Sequence, residues 1–390
     1  MVKKLVQKAF LVFFGLFLIF VILEIGMRLA GKTHLGINAK DPENGFITFK
    51  PNSNLTIKSE CFDNIVKTNS IGFHSSEYSK EKPKNVFRIA VVGDSFTEAI
   101  QVPLKKTYFS ILEQKLNEEL SSSTTLKYEI MSFGLSSHGT YKNLMYAREY
   151  ALRYNPDLII DLFFSSNDIT DDFWDYPDEI PVFDKNDKLV FPKAKPVQFS
   201  LKQKIKDVAR KSILIEHLHK YYITAKINYK TKSGKDQKPI GIQIYLAKYP
   251  QLWKDMWQKE EKLFQEFQSL AKENKSKFLL VSRPRHGFLH PEEFDKSKAD
   301  IVGNGDMEDY DFDKPEKLLA QIASSSGMLY LNLHPHFQKK AQKDTKARVH
   351  WTCDGHWNET GHEWAADGIY QFLIDNPNII SKVNNYEENN

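Results

Sequence analysis

Five short runs along the chain are almost continuously apolar: FRIAVV (87–92), KYEIMSF (127–133), DLIIDLFF (157–164), KFLLVS (277–282) and MLYLNL (328–333). Runs of this length without strict in-and-out alternation are the mark of strands buried on both faces, as in a parallel sheet. Between them the apolar period lengthens to that of a helix. TYFSILEQKLNEEL places Tyr108, Ile111, Leu112, Leu116 and Leu120 on one face. YKNLMYAREYALRY follows the second run, WQKEEKLFQEFQSLAKE precedes the fourth, and PEKLLAQIASSSG precedes the fifth and stops at Gly327. A last helix is predicted over ETGHEWAADGIYQFLI, with Thr360 and Glu363 at the spacing of a capping box. Strands alternating with helices predict an α/β protein, a parallel sheet covered on both faces in three α/β/α layers.

Two stretches depart from the alternation. Lys3, Lys4 and Lys8 precede an unbroken apolar run from Ala9 to Leu23, after which Glu24 and Arg28 interrupt a weaker tail. A span needs about 18 to 20 apolar residues. A cleaved secretory peptide and an uncleaved signal anchor both fit this pattern; the lack of a small-x-small cleavage site and of a lipobox cysteine favours the anchor, residues 1–30. The expected location is the cell membrane, single-pass, with the body extracytoplasmic. Residues 31–86 are polar and turn-rich and read as a stalk and wrap-around segment, leaving 87–380 as the main domain. Inside it, about 171–250 forms an insertion rich in lysine. Its stretch KQKIKDVARKSILIEHLHKYYITAKI reads as one or two amphipathic helices, whose lysines are either a solvated face or a basic rim for an anionic glycan or lipid headgroups.

Composition narrows the function by exclusion. A net charge of +4 over 390 residues, with no matching motif, does not argue for nucleic-acid binding. Two cysteines exclude a disulfide scaffold and a multi-cysteine zinc site, although Cys61 and Cys353 could pair in an exported chain. Histidines 334, 336, 350, 356 and 362 cluster late but on different elements, without HExxH, so no metal and no cofactor are predicted.

Four stretches remain that can carry chemistry. GDSF places Ser95 directly after the first strand, FGLSSHGT places Gly134 after the second, and FFSSNDI places Asn167 after the third. CDGHWNETGH places Asp354 and His356 just before the last helix. Strand ends of a parallel sheet open on one edge, so Ser95, Gly134 and Asn167 converge by topology. A serine hydroxyl becomes a nucleophile when a neutral imidazole takes its proton, and the imidazole works best with a carboxylate behind it. His356 and Asp354 can supply that pair. The backbone N–H groups of Ser95 and Gly134 and the amide of Asn167 can then hold an oxyanion. Asp94 and Asp168 are expected to organise hydrogen bonds at the strand ends, and His362 to serve as a polar helix-start residue.

In these four ordered blocks the chain resembles the SGNH hydrolases, also called the GDSL esterase family: Ser95 in GDSF, Gly134 in FGLSSHG, Asn167 in SSND and His356 in DGHWN. The resemblance runs from about residue 87 to 375, without the insertion. It implies a flavodoxin-like sandwich and hydrolysis of, or transfer from, acyl esters, with acetylated cell-surface or extracellular polysaccharide as one substrate reading. An O-acetyltransferase and a non-catalytic glycan-binding protein on the same fold stay open as alternatives. Three departures accompany it. Ser165 stands where the third block usually has glycine, and Ser132 where the second commonly has asparagine. Many members place the acid three residues before the histidine, whereas Asp354 lies two before His356, a spacing shared with the alginate-acetylating relatives. Should Asp354 not serve, a backbone carbonyl could orient the ring and the triad becomes a dyad.

Overall fold

The computed structural model describes residues 2–29, 38–120, 125–175, 180–191, 209, 212–215, 217–219, 221–222, 241–285, 287–302 and 305–381. The chain divides into two compact units, 1–50 with 193–238, and 51–192 with 239–390.

In the first unit, α1 (Val2–Leu29) carries within Lys3–Leu29 an 18-residue window of mean hydropathy 2.7, none of it buried. It is long and apolar enough to cross a membrane. Glu24, near its end, pairs with Arg28 at 2.6 Å and accepts hydrogen bonds from the Ser212 hydroxyl and from the Ile213 and Leu214 N–H groups. Its carboxylate thus satisfies the opening N–H groups of a short helical segment. A small hairpin, β1 (Asn38–Lys40) with β2 (Ile47–Phe49), completes the described part. Most of the amphipathic stretch expected in the insertion lies outside the described residues.

The second unit opens with an antiparallel hairpin, β3 (Asn54–Lys58) and β4 (Asp63–Lys67), in the segment expected to be a stalk. Strand β4 alternates exposed and buried, a period-2 signal too short to stand out among its polar neighbours. The main sheet has five strands: β5 (Val86–Gly93), β6 (Lys127–Ser132), β7 (Leu158–Phe163), β8 (Lys277–Ser282) and β9 (Leu329–Asn332). All pair in parallel, in the order β6-β5-β7-β8-β9. This doubly wound order reverses direction between β5 and β7, and at such a switch point the flanking loops diverge and leave a crevice.

Helices cover both faces: α2 (Ser95–Glu98), α3 (Tyr108–Glu119), α4 (Thr140–Glu149), α5 (Gln251–Glu273), α6 (Pro291–Val302), α7 (Lys314–Ser326), α8 (His334–Lys343) and α9 (Glu359–Asp375). Phe87, Ile89 and Val91 of β5 pack with Leu112 and Leu116 of α3 and with Trp357, Trp364 and Ile369 at and within α9 in one buried cluster. On α5 the buried face is Trp253, Met256, Leu263, Phe264 and Phe267, with Phe264 edge-on to Phe163 of β7 at 5.2 Å. Full burial of such side chains stabilises by about 1.5 to 3 kcal/mol each. Arg88 is fully buried in β5 and is accommodated because Glu129 pairs with it at 2.9 Å and the carbonyls of Ser79, Lys80, Glu81 and Tyr154 accept its remaining protons.

Several details differ from the sequence expectation. Helices α6 and α8 carry weak patterns; in α8 only Phe337 and Ala341 are buried. The capping box proposed for Thr360 and Glu363 is not formed: Asn358 is the N-cap of α9, its side chain accepting from Gly361 N at 3.0 Å. His362 lies in the first turn of α9, as expected, but is buried there: it is 1% exposed, stacks on Tyr108, accepts from the Tyr108 N–H, and burial pushes its pKa down to about 3.

Candidate active site

Strand β5 ends on Gly93, whose φ of +156° suits glycine, and where a Cβ would run into Thr97 and lie 3.0 Å from the Leu162 carbonyl. Asp94 follows as the N-cap of α2, its carboxylate accepting from Phe96 N at 2.9 Å. The cap starts the helix immediately, so Ser95 sits at its first position with a half-buried side chain. The N–H groups of a first helical turn have no partner within the helix and are available as donors there.

His356 reaches this point from the loop before α9. That loop is closed on itself: Trp351 N donates to the His356 carbonyl and Gly355 N to the Trp351 carbonyl, both at 2.8 Å, while Gly355 takes a φ of +77°. Trp357 is fully buried next to it and anchors the loop. The His356 ring packs on Phe96 with centroids 4.9 Å apart, and its Nε2 lies 2.8 Å from Ser95 Oγ, across 261 residues of sequence. Asp354 Oδ2 lies 3.3 Å from His356 Nδ1. This contact is electrostatic rather than a well-aligned hydrogen bond, because Nδ1 has no partner in hydrogen-bond geometry. The other carboxylate oxygen accepts from the His356 backbone N–H at 3.0 Å, and Gln101 Nε2 donates to Oδ2 at 3.3 Å. Asp354 and His356 side chains are each about a quarter exposed, at 25% and 26%.

The two other expected donors come from neighbouring strand ends. A Cβ on Gly134 would stand 2.6 Å from Glu98 N, so glycine is required for the loop after β6 to lie against α2. Its N–H is 3.5 Å from Ser132 Oγ, a weak engagement. Asn167 Nδ2 donates to Asp171 Oδ2 at 2.9 Å. A carboxamide has a second N–H, which can serve as donor to a substrate oxygen.

Sequence reasoning missed two contributors. Gln101 holds the acid. Arg283, immediately after β8, is 5% exposed and lies between the rings of Phe96 and Phe164, 3.3 and 3.2 Å from their centroids. Burial lowers its pKa to about 9, while Asp94 and Asp168 pull in the opposite direction. Burial also raises Asp94, against the opposing pull of Arg283, the Phe96 N–H and His356. The position of SRPR at a strand's carboxyl end was the available signal for Arg283; nothing in the residues around Gln101 distinguishes it.

Cys61 and Cys353 are disulfide-bonded. Cys61 lies in the turn of the β3–β4 hairpin, and Phe62 packs on Trp351 at 5.7 Å, so the hairpin holds the loop that carries Asp354. A disulfide closing so long a loop typically contributes about 2 to 4 kcal/mol. Cys61→Ser is therefore expected to lower the thermal midpoint by several degrees and to reduce turnover of a test ester, read by calorimetry and by initial rates. An unchanged midpoint would contradict this role.

Beneath the site lies a group of buried carboxyls. Burial pushes Glu260 up to about 8 and Glu98 to about 7, and raises Asp161, Asp168 and Asp172 in the same direction. Glu260 accepts from the Thr140 hydroxyl and Glu98 from the Ser136 hydroxyl. A carboxyl with a raised folded pKa contributes stability that is complete below its unfolded pKa and is lost as pH rises through the folded value. Buried His74, pushed down to about 4, and His138, pushed down to about 3, act oppositely, with stability present above pH 6.5 and lost below it. Only the carboxyls therefore act between pH 6.5 and 8. Urea denaturation should show stability falling by about 2 kcal/mol across that interval, and Glu260→Gln should flatten the slope. A stability rising with pH there would exclude this account.

Parallel strands in this order, helices on both faces, and polar side chains gathered at the carboxyl edge beside the switch point define a doubly wound α/β protein of flavodoxin-like topology. No family model and no curated protein matches the chain. Solved structures similar to it include the acetyl xylan esterase AlAXEase, at 13% identity and a TM-score of 0.40, covering 74% of this chain and 100% of that one. LAE5, an alpha/beta hydrolase enzyme from the metagenome of Lake Arreo, Spain, is similar at 14% identity and 0.40, covering 76% and 97%. Axe2, an acetylxylan esterase from Geobacillus stearothermophilus, is similar at 12% identity and 0.39, covering 74% and 93%.

Proposed function

We propose that the chain is a serine ester hydrolase in which Ser95 attacks the acyl carbon, His356 moves the proton and Asp354 supports the imidazole. The observation that carries this reading is the 2.8 Å approach of His356 Nε2 to Ser95 Oγ at the first position of a helix on the carboxyl edge of the sheet. In the first step Ser95 Oγ bonds to the ester carbon while its proton passes to Nε2. The carbonyl oxygen takes the negative charge, with the Ser95 and Gly134 N–H groups and the Asn167 amide as its donors. Collapse expels the alcohol, which takes the proton from Nε2. Water then enters by the same base, and the acid is released with Ser95 regenerated. No cofactor enters the scheme.

An acetyl group on cell-surface or extracellular carbohydrate is the proposed substrate class, and residues 1–30 the proposed membrane anchor, with the catalytic unit on the extracytoplasmic side. The apolar character of α1 supports the anchor. Labelling the full-length protein in detergent with a fluorophosphonate, followed by peptide mass analysis, tests the chemistry. The expected adduct is on Ser95; modification elsewhere, or none, would overturn the reading.

A further inference from the structure

A cavity of about 380 Å³ opens next to the serine site, beginning at Phe164 and Ser165 after β7 and passing Arg283. Phe96, the residue after Ser95, connects the two places, since it touches both His356 and Arg283. One wall is aromatic. Tyr245, Phe288 and Phe312 form a mutually packed set with centroids 5.6 to 5.9 Å apart. Arg285 lies over two of these rings, 5.2 Å from Tyr245 and 5.7 Å from Phe288. Among the described residues its polar partners are neutral oxygens at long range, Ser166 Oγ at 3.5 Å and Tyr245 OH at 3.4 Å. Arg283, deeper in, has a buried Nε with no hydrogen-bond partner.

Two guanidinium groups side by side in a cavity are mutually unfavourable unless something negative offsets them. Asp94 and Asp168 act on Arg283, whereas Arg285 has no carboxylate partner among the described residues, and of the acids that line the cavity, Asp311, Asp313 and Glu316, two are already engaged. Asp311 is already paired with Lys317 at 3.1 Å, and Glu316 accepts from Ser282 and Tyr330 at 2.5 and 2.6 Å, with burial raising its pKa. Planar guanidinium groups bind carboxylate and phosphate through two parallel hydrogen bonds, which an ammonium cannot match. Aromatic faces beside them suit the flat apolar face of a sugar ring, and the volume lies within the range of small-molecule sites.

We propose that this cavity binds an acidic sugar unit, its carboxylate or phosphate held by Arg285 with Arg283 behind it and its ring lying on Tyr245, Phe288 and Phe312. As the specificity site of the enzyme, this rests on the esterase reading; as a binding site, it stands alone. The test is native electrophoresis of the full-length protein in detergent, in gels cast with polygalacturonate or with neutral xylan. Retardation is expected only with polygalacturonate. Arg285→Gln should weaken it at least tenfold and Arg285→Lys by less, and melting curves would establish that both variants are folded. Should Arg285→Gln not fold, competition on the natural protein decides: galacturonate or galactose 6-phosphate should release it, which also separates the two anions, and galactose should not. Equal retardation in both gels, an undiminished effect in folded Arg285→Gln, or release by galactose would overturn the proposal. Fluorophosphonate labelling of Ser95 without retardation sinks this inference alone, and retardation without labelling sinks the esterase reading alone.

Discussion

Ser95→Ala is expected to lower the hydrolysis of p-nitrophenyl acetate by at least about a thousand-fold in kcat, measured as release of nitrophenolate by the full-length protein in detergent. The size follows from what alanine removes. Without Oγ no bond to the acyl carbon can form, and His356 Nε2 loses the group it faces at 2.8 Å. The helix start itself should survive, because Asp94 caps α2 through Phe96 N and does not depend on the serine hydroxyl. An unaltered melting temperature with lost turnover would therefore place the defect in chemistry. Retained turnover would remove Ser95 from the mechanism.

His356→Ala should cost a similar factor, and comparison with Asp354→Asn tells how much of the imidazole's work depends on its carboxylate. A triad acid in good hydrogen-bond geometry and fully buried is worth about four orders of magnitude. Here the acid is a quarter exposed, 3.3 Å from Nδ1 and not well aligned, and part of its hydrogen-bonding capacity goes to the His356 N–H and Gln101. Solvent screening at such a site weakens the pair. Asp354→Asn is accordingly expected to lose only about ten- to a hundred-fold, while His356→Ala loses a thousand-fold or more. Initial rates on the same ester measure both. Equal losses would mean that the acid aligns fully once substrate is bound; no loss at all in Asp354→Asn would make the site a dyad.

The positions of Ser95 and Asn167 at strand ends were legible in the sequence, for a simple reason. A strand buried on both faces must be continuously apolar, so FRIAVV and DLIIDLFF announce themselves, and the polar residue that ends each run must lie at the sheet edge. The hairpin of Asn54–Lys67 was not legible, because its alternation spans only five residues on each strand. Nor was α8, where two buried residues in ten leave almost no amphipathic signal. The cap of α9 shows a different limit. Thr360 with Glu363 and Asn358 with Gly361 are both acceptable starts, and the choice falls to Asn358, whose backbone is extended while its side chain bonds Gly361 N.

By itself, then, the sequence determined the strands of the main sheet, their parallel layering, and that Ser95, Gly134 and Asn167 follow strand ends on its carboxyl edge, since period and strand ends are local properties that burial writes directly into residue type. The tertiary structure alone decided the distance and angle at each contact: how poorly Asp354 meets Nδ1, that the Asn167 amide is held by Asp171, that Gln101 grips the acid, and that two arginines after β8 face a cavity. Some of these pairs are two to four residues apart and one, Gln101 with Asp354, is 253 apart, but in each a difference of half an ångström separates a hydrogen bond from a mere approach, and no local pattern encodes it.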